Sequence, residues 1–214
     1  MVKNAMENIG KDRFIGISRH RLEVDGDGVT TLVAFYGCPL RCAYCLNPQS
    51  FREGTKTRDL TPEELYDMVK VDQLYFLATG GGICFGGGEP LLRPGYLTRF
   101  RALCGEGWKL WVETSLNVSW EAVQEAAGCI DYFIVDCKDT NPDIYLRYTG
   151  RDNEQMLQNL RRLLALVGAQ RVIVRLPLIP DYNTDADRDE SEALLRTFGV
   201  ERFDRFTYKT QIEK

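Results

Sequence analysis

The sequence predicts an α/β fold, a partial, TIM-like barrel of six strand–helix units with parallel strands. Three observations carry this expectation. Six short runs rich in β-branched and aromatic residues recur along the 214 residues. They are nearly continuously apolar rather than alternating, which suits parallel strands covered on both faces. Helical patterns fill the gaps between them. Six units fall short of the eight that close a full barrel, so an open form is expected.

The strands are expected over 30–36 (TTLVAFY), 82–86 (GICFG), 109–113 (KLWVE), 131–136 (DYFIVD), 171–177 (RVIVRLP) and 203–208 (FDRFTY). Among the helices, "TPEELYDMVK" starts with Thr61 as N-cap, Pro62 at the first helical position and Glu64 closing a capping box. Ser119 can cap a helix over 120–127. Asn153 can cap one running to about 166, whose Met156, Leu157, Leu160, Leu163 and Leu164 form one apolar stripe. A last helix over 187–198 stops at Gly199 in the C′ position. No linker, repeat or low-complexity tract divides the chain, so residues 1–214 read as a single domain, with 1–29 as an N-terminal extension and 30–208 as the partial barrel.

The unusual residues fall at strand ends. A cysteine loop follows the first strand, "GGGEP" follows the second and "ETS" ends the third. "DCK" ends the fourth and Arg175 lies in the fifth. In folds of this kind the C-terminal strand ends build the active site, so residues scattered in sequence are expected to converge in space.

Composition excludes several partners. Lys and Arg number 27 against 31 Asp and Glu, a net charge of −4, and no basic stripe stands out. Nucleic acid is therefore not an expected partner. The N-terminus lacks an apolar signal core, and no apolar run reaches bilayer-spanning length. A cytoplasmic location with no membrane association is the expectation, and a monomer is the simplest state.

Seven cysteines are present. Cys84, Cys104, Cys129 and Cys137 stand singly in apolar surroundings, as small buried core residues do. Cys38, Cys42 and Cys45 crowd into eight positions with no fourth nearby. A structural zinc site closes on four ligands, and an ordinary electron-carrying cluster takes four thiolates. The only histidine is His20, and the next cysteine, Cys84, lies across a helix and a strand. A distant fourth ligand stays open as an alternative. Three soft thiolates in one loop suit an iron–sulfur cluster in which one iron keeps an open coordination position.

The C-x3-C-x2-C spacing, with Tyr44 just before the third cysteine, resembles the radical S-adenosylmethionine (SAM) superfamily. The resemblance implies that Cys38, Cys42 and Cys45 hold a 4Fe–4S cluster whose open iron binds SAM. It further implies reductive cleavage of SAM to methionine and a 5′-deoxyadenosyl radical. "Gly86-Gly87-Gly88-Glu89-Pro90" could be a tight turn on its own. Beside the cysteine triplet it is similar to the superfamily's GGE motif, with Gly88 and Glu89 in the matching positions. Glycines there let the backbone approach a ligand closely. The earlier Gly80–Gly82 run reads as a flexible lead-in to the strand. Arg175 interrupts an apolar run and needs a carboxylate partner, for which Glu89 or the SAM carboxylate would serve.

Within the superfamily the sequence resembles the glycyl radical enzyme activating enzymes of the pyruvate formate-lyase activating type, from about residue 22 onward. "VDGDGVTTLVAFYGCPLRCAYCLNP" matches a D-G-x-G segment leading into the cluster loop, through Asp25, Gly26 and Gly28. "DYFIVDCKDTNPDIYLRYTGRDNEQMLQNL" and "VRLPLIPDYNTDAD" are similar to later segments of that family. The resemblance implies SAM binding by Tyr44, Gly88, Asp136 and Lys138. It places Glu113, Thr114 and Asp136 at a monovalent cation site, with Glu113 standing where an Asp is usual. The Asp25 loop and Lys138 fall on the substrate side, where a partner's glycine loop would enter.

Two departures stand out. The ferredoxin-like insert of many relatives has no counterpart, and neither does a histidine after the sixth strand, where Lys209 lies before the chain stops. A shortened tail is expected to leave one side of the barrel open. The function expected from the resemblance is removal of a hydrogen from a backbone glycine of a partner enzyme, with flavodoxin or ferredoxin as electron donor. The alternatives are radical SAM chemistry on a small molecule, nucleobase or peptide, or a non-catalytic iron–sulfur carrier or redox sensor. A carrier needs no second ligand site, so "GGGEP" and "DCK" speak against the last.

Overall fold

The fold is a single eight-stranded sheet wrapped by helices, with residues 10–208 described in a computed structural model. The strands are β1 (Asp12–Leu22), β2 (Val29–Phe35), β3 (Arg58–Leu60), β4 (Gly82–Gly87), β5 (Lys109–Thr114), β6 (Tyr132–Asp136), β7 (Val172–Leu178) and β8 (Arg202–Thr207). Their order is β3-β1-β2-β4-β5-β6-β7-β8. From β2 to β8 all neighbours are parallel, so the six expected strands form an open, partial barrel.

Among the described residues the α-helices are α1 (Pro62–Val69), α2 (Gln73–Thr79), α3 (Pro94–Cys104), α4 (Trp120–Ala127), α5 (Pro142–Thr149), α6 (Glu154–Val167) and α7 (Asp185–Thr197). Thr61 and Glu64 close the capping box of α1, and Ser119 caps α4 by accepting from the Ala122 amide. Asn153 opens α6 without capping it, because its Nδ2 donates to the Thr140 carbonyl at 2.7 Å. The stripe on α6 faces inward, with Met156, Leu160 and Leu163 fully buried.

Parallel strands alternate between two buried environments. One face packs on the helices through Phe35, Phe85, Leu110, Val112, Phe133 and Val174. The other lines the barrel interior, where Cys84, Trp111 and Ile134 form a separate cluster with Leu32 and Ile173. Cys84, Cys129 and Cys137 are buried as expected, whereas Cys104 is only half-buried.

Four features differ from the sequence expectation. First, β1 and β3 add an antiparallel flap to the β2 edge. Its anchor is Asp72, whose buried carboxylate accepts from Arg19 at 2.5 and 2.6 Å and contacts His20 Nε2 at 2.8 Å. Second, helices α2, α3 and α5 fill segments read as connections. Third, Gly80–Gly82 is no flexible lead-in. Gly80 is the left-handed C-cap of α2, and a Cβ at Gly81 or Gly82 would lie 1.9 Å from the Val29 carbonyl oxygen or 2.1 Å from that of Lys109. Close backbone packing is what excludes side chains there. Fourth, Arg175 pairs with Glu113 rather than Glu89, for reasons set by the site itself. Lys209 lies outside the described residues.

Candidate active site

The loop after β2 is welded to its neighbours by main-chain bonds. The Gly37 amide donates to the Ser50 carbonyl at 2.7 Å, Arg41 N to Thr149 O at 2.8 Å and Ala43 N to Tyr148 O at 3.0 Å. The Arg41 guanidinium folds back to donate to the Cys38 and Leu40 carbonyls at 2.7 and 2.8 Å. The glycines after β4 dock on the same loop. Gly88 N donates to Phe35 O at 3.0 Å and Glu89 N to Gly37 O at 2.7 Å. A Cβ at Gly88 would stand 2.2 Å from the Gly37 carbonyl oxygen, so only glycine fits the approach.

These contacts bring Cys38, Cys42 and Cys45 to one end of a cavity of about 540 Å3 whose other walls include Gly87, Gly88, Thr114, Asp136, Lys138 and Arg175. That volume is in the range of small-molecule sites, roughly 300–1,000 Å3. Burial pushes the Cys38 thiol up to about 12, with the Glu89 carboxylate adding to it, and burial pushes Cys42 up to about 11. Cys45 is raised for the same reason. No three His, Cys, Asp or Glu side chains converge on a single ion among the described residues. Three soft thiols on one cavity suit iron–sulfur ligation better than a hard cation.

Another part of the cavity wall is charged. Lys138 Nζ donates to Asp136 Oδ2 at 3.0 Å and lies 5.5 Å from the Tyr208 ring centroid. Burial opposes the charge on each, yet Asp136 is held below its ordinary value by Lys138 and Arg175, and Lys138 well above its own by Asp136. Arg175 Nη1 donates to Glu113 Oε1 at 2.5 Å and its Nε to Asp204 Oδ2 at 3.3 Å. Its Nη2 donates to the Val24 carbonyl at 3.0 Å. Burial raises Glu113 against the pull of Arg175. Gly86 makes the room, since a Cβ there would come 2.7 Å from Glu113 Oε2.

Glu89 is occupied elsewhere. Its carboxylate accepts from Thr114 Oγ1 at 2.8 Å, from Ser115 N and Oγ at 2.8 and 2.7 Å, and from Leu91 N at 3.2 Å. It is 1% exposed, and its work is to tie the β4 turn to the end of β5. Thr114 serves the same tie.

Three further candidates sit apart from the cavity wall. Tyr44 OH donates to Asp181 Oδ2 at 2.9 Å, and its ring packs edge-on against Tyr148 and Tyr182. Asp25 lines the cavity in a contact with Arg21, but Gly26 and Gly28 lie beyond it. Gly28 is fixed by the Thr79 carbonyl oxygen, 2.5 Å from where its Cβ would stand. Sequence reasoning missed Arg21, Asp204, Phe206 and Tyr208, which line the cavity from β1, β8 and the residue after it. Arg21 and Asp25 meet only because the chain turns at Glu23, which has a positive φ of 53°, so neither they nor the β8 residues offered a sequence signal.

A family model described as the Radical SAM superfamily matches residues 32–194. The chain belongs to the radical SAM superfamily. Among curated relatives of this radical SAM chain is the (2S)-3-sulfopropanediol dehydratase activating enzyme of Klebsiella oxytoca, 28% identical, covering 79% of this chain and 72% of that one. The pyruvate formate-lyase-activating enzyme of Staphylococcus aureus is 32% identical, covering 77% of this chain and 67% of that one. Among solved structures, Streptococcus suis SuiB bound to precursor peptide SuiA superposes with a TM-score of 0.61 at 14% identity. That match covers 82% of this chain, which spans only 38% of SuiB. Methylornithine synthase (PylB) gives 0.60 at 14% identity, covering 84% of this chain and 53% of that one. At such identities the likeness speaks for the fold alone. Membership of the superfamily implies a 4Fe–4S cluster and SAM. No helix among the described residues is long and apolar enough to cross a membrane.

Proposed function

We propose that this radical SAM chain is a glycyl radical enzyme activating enzyme, with Cys38, Cys42 and Cys45 as the cluster ligands. The observation that carries the reading is one cavity that joins three thiols, the Gly87–Gly88 backbone and the Asp136–Lys138 pair, with the Asp25 loop on its flank. The named function of the curated relatives supports the choice within the superfamily. The cluster and SAM, when bound, supply a 5′-deoxyadenosyl radical that takes a hydrogen atom from a substrate C–H bond.

The chain's own residues position and shield. Gly88 presents open backbone to the SAM amino group, and Lys138, in the same cavity as the thiols, serves the SAM carboxylate. Asp136 is kept ionised to accept from ribose hydroxyls. The resemblance puts a monovalent cation beside Glu113 and Asp136, but here Arg175 and Lys138 already supply positive charge to those carboxylates. In this reading the two side chains do the cation's work. No side-chain general base is required. The substrate is the glycine loop of a partner enzyme, and flavodoxin or ferredoxin delivers the electron.

The test is anaerobic reconstitution with iron and sulfide, reduction, and assay of 5′-deoxyadenosine from SAM. Spin-resonance detection of a glycyl radical on a candidate partner then reads the substrate. SAM left intact by reduced, cluster-loaded protein would overturn the catalytic reading. Cleavage of SAM with no radical on any candidate partner would overturn the activating role alone.

A further inference from the structure

The loop between β1 and β2 divides the barrel interior. On one side is the cavity just described. On the other, toward the N-terminal strand ends, is a second cavity of about 500 Å3 lined by Gly26, Trp111, Ile134, Ile173 and Phe203. Glu23, Val24 and Arg175 border both.

Trp111 is the unusual member. It is fully buried and stacked on Tyr132 with centroids 4.2 Å apart, yet its Nε1 has no hydrogen-bond partner among the described residues. A buried donor without an acceptor is costly, so its retention asks for a use. Gly26 lies on its face. A Cβ at Gly26 would come 2.5 to 2.7 Å from the indole Cε2, Cδ2 and Nε1 atoms, and no side chain fits there.

The loop that carries Gly26 is held at few points. Arg175 donates to the main-chain carbonyl of Val24 at 3.0 Å. Asp25 pairs with Arg21 at the end of β1. At its ends stand Glu23 and Gly28, both with positive φ of 53° and 69°. Toward the barrel interior the segment offers one carbonyl, to Arg175, and one glycine, to Trp111, while the Asp25 carboxylate ties it to β1.

We propose that Trp111 is the glycine-selecting residue of the substrate site, and that the Gly26 loop holds the place of substrate until a partner's glycyl segment displaces it. This rests on the activating-enzyme reading. The incoming glycine lies on the indole face where a β-carbon would clash. Its neighbouring carbonyls take the two donors, Arg175 Nη2 vacated by Val24 and Trp111 Nε1.

The test uses the cluster-loaded enzyme with SAM and alanine–serine heptapeptides whose central residue is Gly, L-Ala or α,α-dideuteroglycine. Wild type is expected to bind the Gly peptide at least about tenfold more tightly than the Ala peptide, the penalty of a sub-van-der-Waals contact. In Trp111→Ala that ratio falls to within about twofold, because the wall is gone. Trp111→Phe keeps the ratio and weakens both peptides several-fold, because only the N–H is lost. Gly26→Ala evicts the loop without touching the wall, so Gly-peptide affinity rises as the binding-competent fraction grows. Hydrogen exchange across 23–28 should accelerate when the peptide binds. If wild type and Trp111→Ala discriminate Gly from Ala alike, or no peptide binds wild type at millimolar concentration, the assignment is wrong. Deuterium in 5′-deoxyadenosine from the labelled peptide reports separately on the activating function. Its transfer without Gly/Ala discrimination keeps that function and removes this site.

Discussion

Arg175 reaches across β6 from β7 to place its Nη1 2.5 Å from Glu113 Oε1 on β5. Both side chains are more than four-fifths buried, at 15% and 19% exposed. Removing one partner strands the other charge away from water. Arg175→Met is expected to cost about 3 kcal/mol in denaturant unfolding, and Arg175→Met with Glu113→Gln to cost less than the two changes summed. A double-mutant cycle checks it. Strict additivity would mean that the two groups are not coupled.

The cysteines divide cleanly into two groups by where their thiols lie. Ser substitution at Cys38, Cys42 or Cys45 should abolish the broad visible absorption of the reconstituted cluster while leaving far-ultraviolet dichroism unchanged. Ala at Cys84, Cys129 or Cys137 should keep the absorption and lower stability only, by about 1 kcal/mol each from the lost buried sulfur. Iron content per chain reads both outcomes.

Burial gives the metal-free protein a distinctive alkaline behaviour. Folded Cys38 and Cys42 titrate at about 12 and about 11, above the unfolded thiol value of about 8.5. A group with its folded value raised stabilises fully below the unfolded value and loses that contribution as pH climbs toward the folded one. The denaturation midpoint of the metal-free protein should therefore fall between roughly pH 8.5 and 11, and the Cys38→Ser, Cys42→Ser double variant should show a flatter profile. Loading iron and sulfide at neutral pH should release, beyond the protons given up by the sulfide itself, three per chain as the thiolates form, and a pH-stat titration against the triple Cys→Ser variant measures the difference.

Asp72 gives the opposite sign at the acid end. Its carboxyl is held low chiefly by the Arg19 hydrogen bonds, with His20 adding to them. A depressed group contributes stability above its unfolded value, near 3.9, and loses it as pH falls through the folded one. Asp72→Asn is expected to cost about 1–2 kcal/mol at pH 7, discounted for the half-exposed Arg19, and much less at pH 3. Urea melts at the two pH values test this. An equal cost at both would assign the effect to packing.

The parallel strands were legible because burial on both faces leaves unbroken apolar runs. The six expected spans match β2 and β4–β8 to within a residue or two. β1 escaped because its sequence, DRFIGISRHRL, is half-exposed, and its pairing to β2 slips register twice, with His20 in a left-handed conformation. Helix α5 is not among the expected helices, although its sequence carries a full signal, with Asn141 as cap, Pro142 at the first position and Gly150 beyond the end. At the site, strand-end position brought the cysteines, Gly88, Asp136 and Lys138 to one cavity. Which carboxylate would neutralise Arg175 was not legible. That choice depends on Glu89 being taken up by Thr114 and Ser115, a three-dimensional fact with no sequence period.

The main chain of the cysteine loop is tied to the rest of the protein at several points. Its amides at Gly37, Arg41 and Ala43, and its carbonyls at Cys38 and Leu40, are engaged by neighbouring main chain and by Arg41. In the activating-enzyme reading, a loop tied down this way would present its three thiols already grouped to incoming iron, so loading would need little rearrangement of the barrel around it.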